Sequence, residues 1–290
     1  MEIGFIGLGN MGAPRARNLA RAGHVVHGYD VTGIKVEGVT PASTAAEAAA
    51  TRSVVITMLP DGKVLRRVAD EIIPFMDENA VFLDCSTVDV ATAKAVAEDA
   101  VKAGLQAVDA PVSGGIGGAE AGTLTFMAGG TDEGYAAVLP LFEIMGAKSV
   151  HCGPSGAGQA AKICNNMILG ISMIGVCEAF AMAGKLDLDP QKMFDVVSTS
   201  SGSCWSVNTY CPAPGVGPES PADNGYQPGF AAELMLKDLR LSQEAAAQVD
   251  ADTPLGAHAA RMYEAFVEAE GRGRDFSAML PWLEGRGRSD

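Results

Sequence analysis

The sequence predicts an α/β fold in which a doubly wound, mainly parallel sheet is joined by one long helix to an all-helical second part. Three observations predict it. Over residues 1–150, short apolar runs alternate with alanine-rich helical stretches, the spacing of βαβ units. A glycine fingerprint, Gly7-x-Gly9-x-x-Gly12, separates the first apolar run from the first helix. After Gly153-Pro154 the pattern changes: residues 157–185 hold no proline and are apolar all round, which reads as a helix buried on most sides. The expected boundary lies near residue 153, giving segments 1–153 and 154–290.

The expected strands are Glu2–Ile6, His24–Tyr29, Ser53–Met58, Val81–Asp84 and Gln106–Asp109, with later ones at Leu124–Gly129 and Ser149–His151. Each is a run of three to six residues rich in β-branched or aliphatic side chains, the form of a strand covered on both faces. Between them helices are expected at Gly12–Ala22, Thr44–Ala50, Gly62–Glu71, Val90–Ala103 and Asp132–Met145. Beyond the long helix, further helices are expected at Pro190–Ser198, Ala231–Ala247, Pro254–Glu270 and Ser277–Leu283. A proline- and glycine-rich segment, Gly202–Gly229, interrupts them. A loop that long in a compact domain is more often functional than idle.

Of the 290 residues 48% are hydrophobic, enough for sizeable cores, and the net charge is −14. That charge argues against nucleic acid and anionic membranes as partners, because both select basic surfaces. The longest apolar run, Met167–Val176, is too short to span a bilayer. The six cysteines form no CxxC pair, so no zinc site is expected. With no leader sequence read before the first strand, the expectation is a soluble protein of a reducing compartment, placed in the cytoplasm.

The fingerprint follows a five-residue apolar strand and opens a helix, the context in which GxGxxG binds a dinucleotide. Gly7 permits the tight turn, Gly9 lets a pyrophosphate approach the backbone, and Gly12 lets the helix pack on the strand. Asn10 and Met11 complete the turn as cofactor contacts. Asp30 ends the second strand about 20 residues on, where a carboxylate accepts hydrogen bonds from the ribose hydroxyls of NAD and repels the 2′-phosphate of NADP. NAD is therefore the expected cofactor. Ligands in open α/β sheets bind beyond the carboxyl ends of the strands. Leu59 and Pro60, after the expected third strand, are expected on the adenosine side, and Thr87 after the fourth near the nicotinamide ribose.

Ser113, Gly114 and Gly115 follow the fifth strand. Small residues there leave backbone N–H groups available, and Ser113 adds a hydroxyl donor, which together suit a carboxylate. Lys162 stands among Ala160, Ala161, Ile163 and Cys164, and Asn166, at i+4, shares its helix face. Desolvation favours the neutral amine, which then serves as a general base toward an alcohol, with Asn166 orienting it. No tyrosine precedes a lysine by four residues, and the four histidines form no serine or carboxylate constellation. Hydride chemistry built on either is not supported.

Four segments, GFIGLGNMG, DAPVSGG, GAGQAAKICNN and LMLKDLRLS, resemble the signatures of the β-hydroxyacid dehydrogenase family, and the likeness covers nearly the whole chain. It implies a Rossmann domain, a long interdomain helix, and a helical domain that forms a homodimer or homotetramer contact. It implies Lys162 as catalytic base with Asn166 as partner, and Ser113–Gly115 on the carboxylate of a small β-hydroxyacid. It also implies Trp205 closing the substrate pocket, and Lys237 with Phe230 on the nicotinamide side. The stretch Ser203–Tyr210 and the following PAPGV resemble the branch acting on 3-hydroxyisobutyrate. Reductases of tartronate or succinic semialdehyde, and serine-type dehydrogenases, remain open, with a non-catalytic cofactor-bound scaffold a distant third. The segment Val31–Gly38 stands where the family commonly has a helix.

Overall fold

The structure, a computed structural model, describes residues 1–286 and divides into two compact units, Met1–Lys162 and the residues from Ile163 onward. In the first unit β1 (Glu2–Ile6), α1 (Gly12–Arg21), β2 (Val25–Tyr29), β3 (Thr40–Pro41), α2 (Ala45–Ala49), β4 (Val54–Thr57) and α3 (Gly62–Ile72) follow in order. They continue into β5 (Val81–Asp84), α4 (Val90–Lys102), β6 (Gln106–Asp109), β7 (Val112–Ser113), α5 (Gly115–Ala121), β8 (Leu124–Gly130), α6 (Asp132–Met145) and β9 (Gly146–Gly153). The spatial order is β3-β2-β1-β4-β5-β6-β8-β7, with β9 parallel to β8. From β3 to β6 every pairing is parallel, whereas β8 is antiparallel to both β6 and β7.

Alternation along each central strand explains the two covered faces. Ile3, Phe5, Val54, Ile56, Val81 and Leu83 point toward α1 and α6, where Leu19, Leu141 and Phe142 are buried. Ile6, Val55 and Phe82 point the other way, against Ala45, Ala48, Leu65 and Val96 of α2, α3 and α4. The sheet is doubly wound because its side chains switch face with period two and are apolar on both.

Four features depart from the expected elements. Residues Gly115–Ala121 form α5 where the sequence reads as a turn, and Val112–Ser113 form a short strand before it. Thr40–Pro41 forms the short strand β3 where none is expected, and the turns of Val31–Gly38 that lead to it carry no helix, in agreement with the sequence. β9 runs over Gly146–Gly153, beyond the expected Ser149–His151.

The long helix α7 (Ala157–Lys185) begins in the first unit and continues into the second. The second unit adds α8 (Pro190–Val197), α9 (Trp205–Asn208), α10 (Ala232–Gln248), α11 (Pro254–Phe266) and α12 (Met279–Arg286). The segment 202–229 thus holds one helical turn, followed by a second short turn at Pro221–Asn224. The expected last helix of the C-terminal segment is shifted: a 3-10 turn over Phe276–Ala278 precedes α12. Met173, Cys177, Met235, Leu239, Tyr263 and Phe266 centre the helical core. Gly170 lets α7 approach α10, since a Cβ there would lie 3.0 Å from Leu239. By length and hydropathy α7 is long and apolar enough to cross a membrane, yet Met173, Ile174, Val176, Cys177 and Phe180 of it pack into this core.

Candidate active site

Reversal of strand order falls between β1 and β4, the point at which a doubly wound sheet opens a crevice beyond its strand ends. The fingerprint turn lies there. Gly7 has φ +93°, and a Cβ on it would sit 2.2 Å from the Met58 carbonyl oxygen. A Cβ on Gly12 would sit 1.9 Å from the Gly7 carbonyl oxygen, so the turn closes only with glycine at both places. Gly9 faces open space, with nothing within 4 Å of such a Cβ, which is the room a pyrophosphate needs. Helices α2, α3, α4 and α6 are capped by the side chains of Thr44, Asp61, Asp89 and Thr131. The residue at the start of α1, Met11, makes no such bond. A helix start left clear of side chains, behind a glycine turn, is a site for phosphate. Asn10 is exposed and Met11 half-buried on this turn.

Asp30 folds back over the same turn. Its Oδ2 accepts the Leu8 N–H at 2.7 Å, and its Oδ1 accepts the Thr32 N–H at 2.9 Å and the Thr32 hydroxyl. Partial burial raises the carboxyl pKa, but the Thr32 and Leu8 donors outweigh it and hold Asp30 below the usual carboxylate range. An ionised carboxylate at the end of β2 is what a ribose diol recognises. These residues fit a dinucleotide.

The next strand ends are tied by a buried network. Thr57 donates to Asp84 Oδ1 at 2.7 Å, and Ser86 donates to the same oxygen through its N–H and its hydroxyl. The Ser86 hydroxyl in turn accepts the Leu59 N–H at 2.8 Å. This fixes Leu59 and Pro60 after β4 and Thr87 after β5.

Asp109, at the end of β6, holds the start of α7. Its Oδ1 accepts the Gly156 N–H at 2.6 Å and its Oδ2 accepts the Gln159 N–H at 2.9 Å. Gln159 then spans to the 86–88 turn, accepting the Val88 N–H and donating to the Ser86 carbonyl. Gly158 completes the docking, because a Cβ there would lie 2.3 Å from the Met127 carbonyl oxygen. Burial pushes the Asp109 carboxyl up to about 7, against the pull of the Gly156 and Gln159 donors. The helix carrying Lys162 is thereby clamped at the carboxyl edge of the sheet, less than one turn before the lysine. Lys162 itself is 7% exposed. Ser113 ends β7, and Gly114 and Gly115, with φ of +135° and +64°, turn the chain into α5 without a side-chain cap.

In the second unit Asn166 is 1% exposed and fixed on both sides. Its Nδ2 donates to Asp238 Oδ2, and its Oδ1 accepts the Asn165 amide at 2.9 Å. Lys237 lies 3.6 Å from Asp238 Oδ1. Phe230 packs edge-on against Phe276, and Trp205, half exposed, stacks on Tyr210. Sequence reasoning missed Asp109, Gln159 and Asp238 as site residues, although Asp109 opens DAPVSGG, Gln159 lies within GAGQAAKICNN and Asp238 within LMLKDLRLS. Among the described residues no cluster of three His, Cys, Asp or Glu is placed to hold a metal ion.

Comparison with known proteins adds the following. Residues 2–153 match the NAD binding domain of 6-phosphogluconate dehydrogenase, and residues 156–283 match the NAD-binding of NADP-dependent 3-hydroxyisobutyrate dehydrogenase. A solved structure of 3-hydroxyisobutyrate dehydrogenase from Mycobacterium tuberculosis, with L-serine, is 46% identical with a TM-score of 0.93, covering 97% of this chain and 98% of that one. The 3-hydroxyisobutyrate dehydrogenase of Pseudomonas aeruginosa is 45% identical over 98% of this chain and 99% of its own length. The mitochondrial 3-hydroxyisobutyrate dehydrogenase of Mus musculus is 42% identical over 97% of this chain and 86% of its own.

Proposed function

Because this chain belongs to the β-hydroxyacid dehydrogenase family of nicotinamide-dinucleotide oxidoreductases, we propose that it oxidises 3-hydroxyisobutyrate to methylmalonate semialdehyde with NAD, a step of valine breakdown. The observation that carries this reading is the burial of Lys162 on a helix whose start Asp109 pins to the sheet's carboxyl edge. The dinucleotide, when bound, supplies the hydride acceptor. Gly7, Gly9, Asn10, Met11 and Gly12 would hold its pyrophosphate, Asp30 and Leu59–Pro60 its adenosine half, and Thr87, Phe230 and Lys237 its nicotinamide half. Ser113, Gly114 and Gly115 bind the substrate carboxylate, and Trp205 forms an apolar wall of the substrate pocket. Lys162 accepts the hydroxyl proton as the C–H bond gives up its hydride, and Asn166 orients the reacting alcohol. Docking one end of a small acid aligns the other, where proximity contributes most.

Residues 1–153 form the dinucleotide-binding domain in this reading and 154–290 the substrate and oligomerisation domain. The ionised Asp30 supports NAD over NADP. The relative solved with L-serine, itself a β-hydroxyacid, supports the substrate class. Rates at 340 nm with 3-hydroxyisobutyrate, L-serine, tartronate semialdehyde and succinic semialdehyde, each with the NAD and NADP couples, test the assignment. We expect kcat/KM for 3-hydroxyisobutyrate with NAD to lead by about tenfold or more, the discrimination a pocket gains from one methyl group. A higher value for any of the others overturns the substrate assignment.

Six free cysteines support a reducing, cytoplasmic setting. We place a second copy of the chain on α7, as part of a homodimer or homotetramer. Ile168 and Met182 there are 65% and 60% exposed and, with Cys164 and Gly175, recur at helical spacing along one stripe, which Leu186, just past the helix end and 71% exposed, extends. Sedimentation at micromolar concentration is expected to give a dimer or tetramer; a monomer overturns it.

A further inference from the structure

Asp275 is fully buried and accepts five hydrogen bonds. Its Oδ1 takes the Ser277 N–H at 3.0 Å and the Ser277 hydroxyl at 2.7 Å. Its Oδ2 takes the N–H groups of Gly229 and Phe230, both at 3.0 Å, and the Tyr210 hydroxyl at 2.9 Å. The backbone around it is laced to the same segment: the Asp275 N–H donates to the Tyr226 carbonyl, and the Phe276 N–H to the Phe230 carbonyl. The Ala232 N–H, at the start of α10, donates to the Arg274 carbonyl. One carboxylate therefore meets three separate stretches of chain: the aromatic pair at 205–210, the approach to α10 at 229–230, and its own turn.

Backbone donors alone would suffice for a loop staple. The Tyr210 hydroxyl does something more. It reaches Asp275 across 65 residues, and its ring stacks on Trp205 with centroids 4.8 Å apart and lies tilted on Phe276 at 5.4 Å. Trp205 is 49% exposed, so one ring face rests on Tyr210 while much of the side chain is open to a ligand. Gly229 makes the reach possible, because a Cβ there would lie 2.6 Å from the Tyr210 hydroxyl oxygen. The same carboxylate sets the backbone of Phe230 and the entry into the helix that carries Lys237.

We propose that Asp275 is a positioning residue for substrate selection: through the Tyr210 hydroxyl it fixes the ring of Trp205, and through the Phe230 N–H it fixes the start of the Lys237 helix. The proposal rests on the assignment of Trp205 to the substrate and of Phe230 and Lys237 to the cofactor. A hydrogen bond to a buried carboxylate is charge-assisted and stronger than a neutral one. Its loss therefore moves the aromatic pair rather than merely loosening it.

The chain has two tryptophans, Trp205 and Trp282, so a Trp282→Phe background leaves Trp205 as the sole reporter. Tyr210→Phe in that background removes one hydroxyl and keeps the ring, and therefore keeps the fold. Acrylamide quenching of Trp205 is expected to rise, and KM for 3-hydroxyisobutyrate to rise about fivefold or more, while the dinucleotide Kd stays within about twofold. Asp275→Asn, which puts an N–H₂ where two or three donors converge, is expected to raise the dinucleotide Kd as well if it folds. Trp205→Leu separates the premises. A raised KM in Trp205→Leu together with unchanged quenching and unchanged KM in Tyr210→Phe overturns the role of Asp275 alone. An unchanged KM in Trp205→Leu overturns the selection role together with the assignment of Trp205 to the substrate.

Discussion

Lys162→Ala is expected to lower kcat by about a thousandfold, within the 10²–10⁴ that a positioned general base contributes. The dinucleotide Kd should stay within about twofold, because the proposed cofactor contacts made by the ends of β1, β2, β4 and β5 owe nothing to this side chain. The distinction matters physically. A base acts only when the hydroxyl proton leaves, so its removal lowers kcat and kcat/KM together, whereas a binding residue would raise KM with kcat preserved. Lys162→Arg should not rescue turnover, since a guanidinium stays protonated and cannot accept the proton. In the alanine variant the residual rate should climb with hydroxide across the pH range where wild type is level, because solvent has taken over the proton. Turnover above about a tenth of wild type in Lys162→Ala would remove the lysine from the mechanism.

Much of what surrounds that lysine was readable from the chain, and the limits are instructive. β1, β5 and β6 coincide with the expected segments to the residue, because a strand buried on both faces is a short apolar run that turn residues end abruptly. The 29-residue helix was readable because 157–185 holds no proline, its four glycines stand apart from one another, and apolar residues recur on every side of it. Helix α5 was not. Gly115, Gly117 and Gly118 each disfavour a helix by about 1 kcal/mol relative to alanine. Tertiary contacts override that preference: Ala119 is fully buried in the sheet core, and the Asn18 amide donates to its carbonyl at 3.0 Å. Nor does a sequence announce partners. Asp109 meets Gln159 50 residues later, and Asn166 meets Asp238 72 residues later. A lysine among alanines can be read as buried; the carboxylate that sets its helix on the sheet cannot, since its effect exists only once β6 and α7 are folded together. The strand order was equally silent, because alternation gives the strands but not which neighbour each takes.

The fingerprint offers the second large effect, and a contrast between two of its glycines decides what each one does. Gly12→Ala is expected to weaken dinucleotide binding by about a hundredfold or more, the loss of roughly two charge-assisted hydrogen bonds. It should also destabilise the first unit by about 3 kcal/mol or more. The added Cβ would lie 1.9 Å from the Gly7 carbonyl oxygen and 2.9 Å from its carbon. Both are backbone atoms of a turn already held at φ +93°, with the Gly7 N–H on the Tyr29 carbonyl. Nothing there can yield as a side chain would, so α1 must lift off β1. Gly9→Ala meets no atom within 4 Å and should unfold at nearly the wild-type urea midpoint, within about 1 kcal/mol. Its methyl group nevertheless occupies the space above the turn that a pyrophosphate needs, so affinity should fall comparably. Urea unfolding and dinucleotide titration on the two variants therefore separate closing the turn from leaving room above it. If Gly9→Ala bound the dinucleotide as wild type does, the phosphate would have to approach α1 by another route, and the reading of the fingerprint would fail with the fold intact.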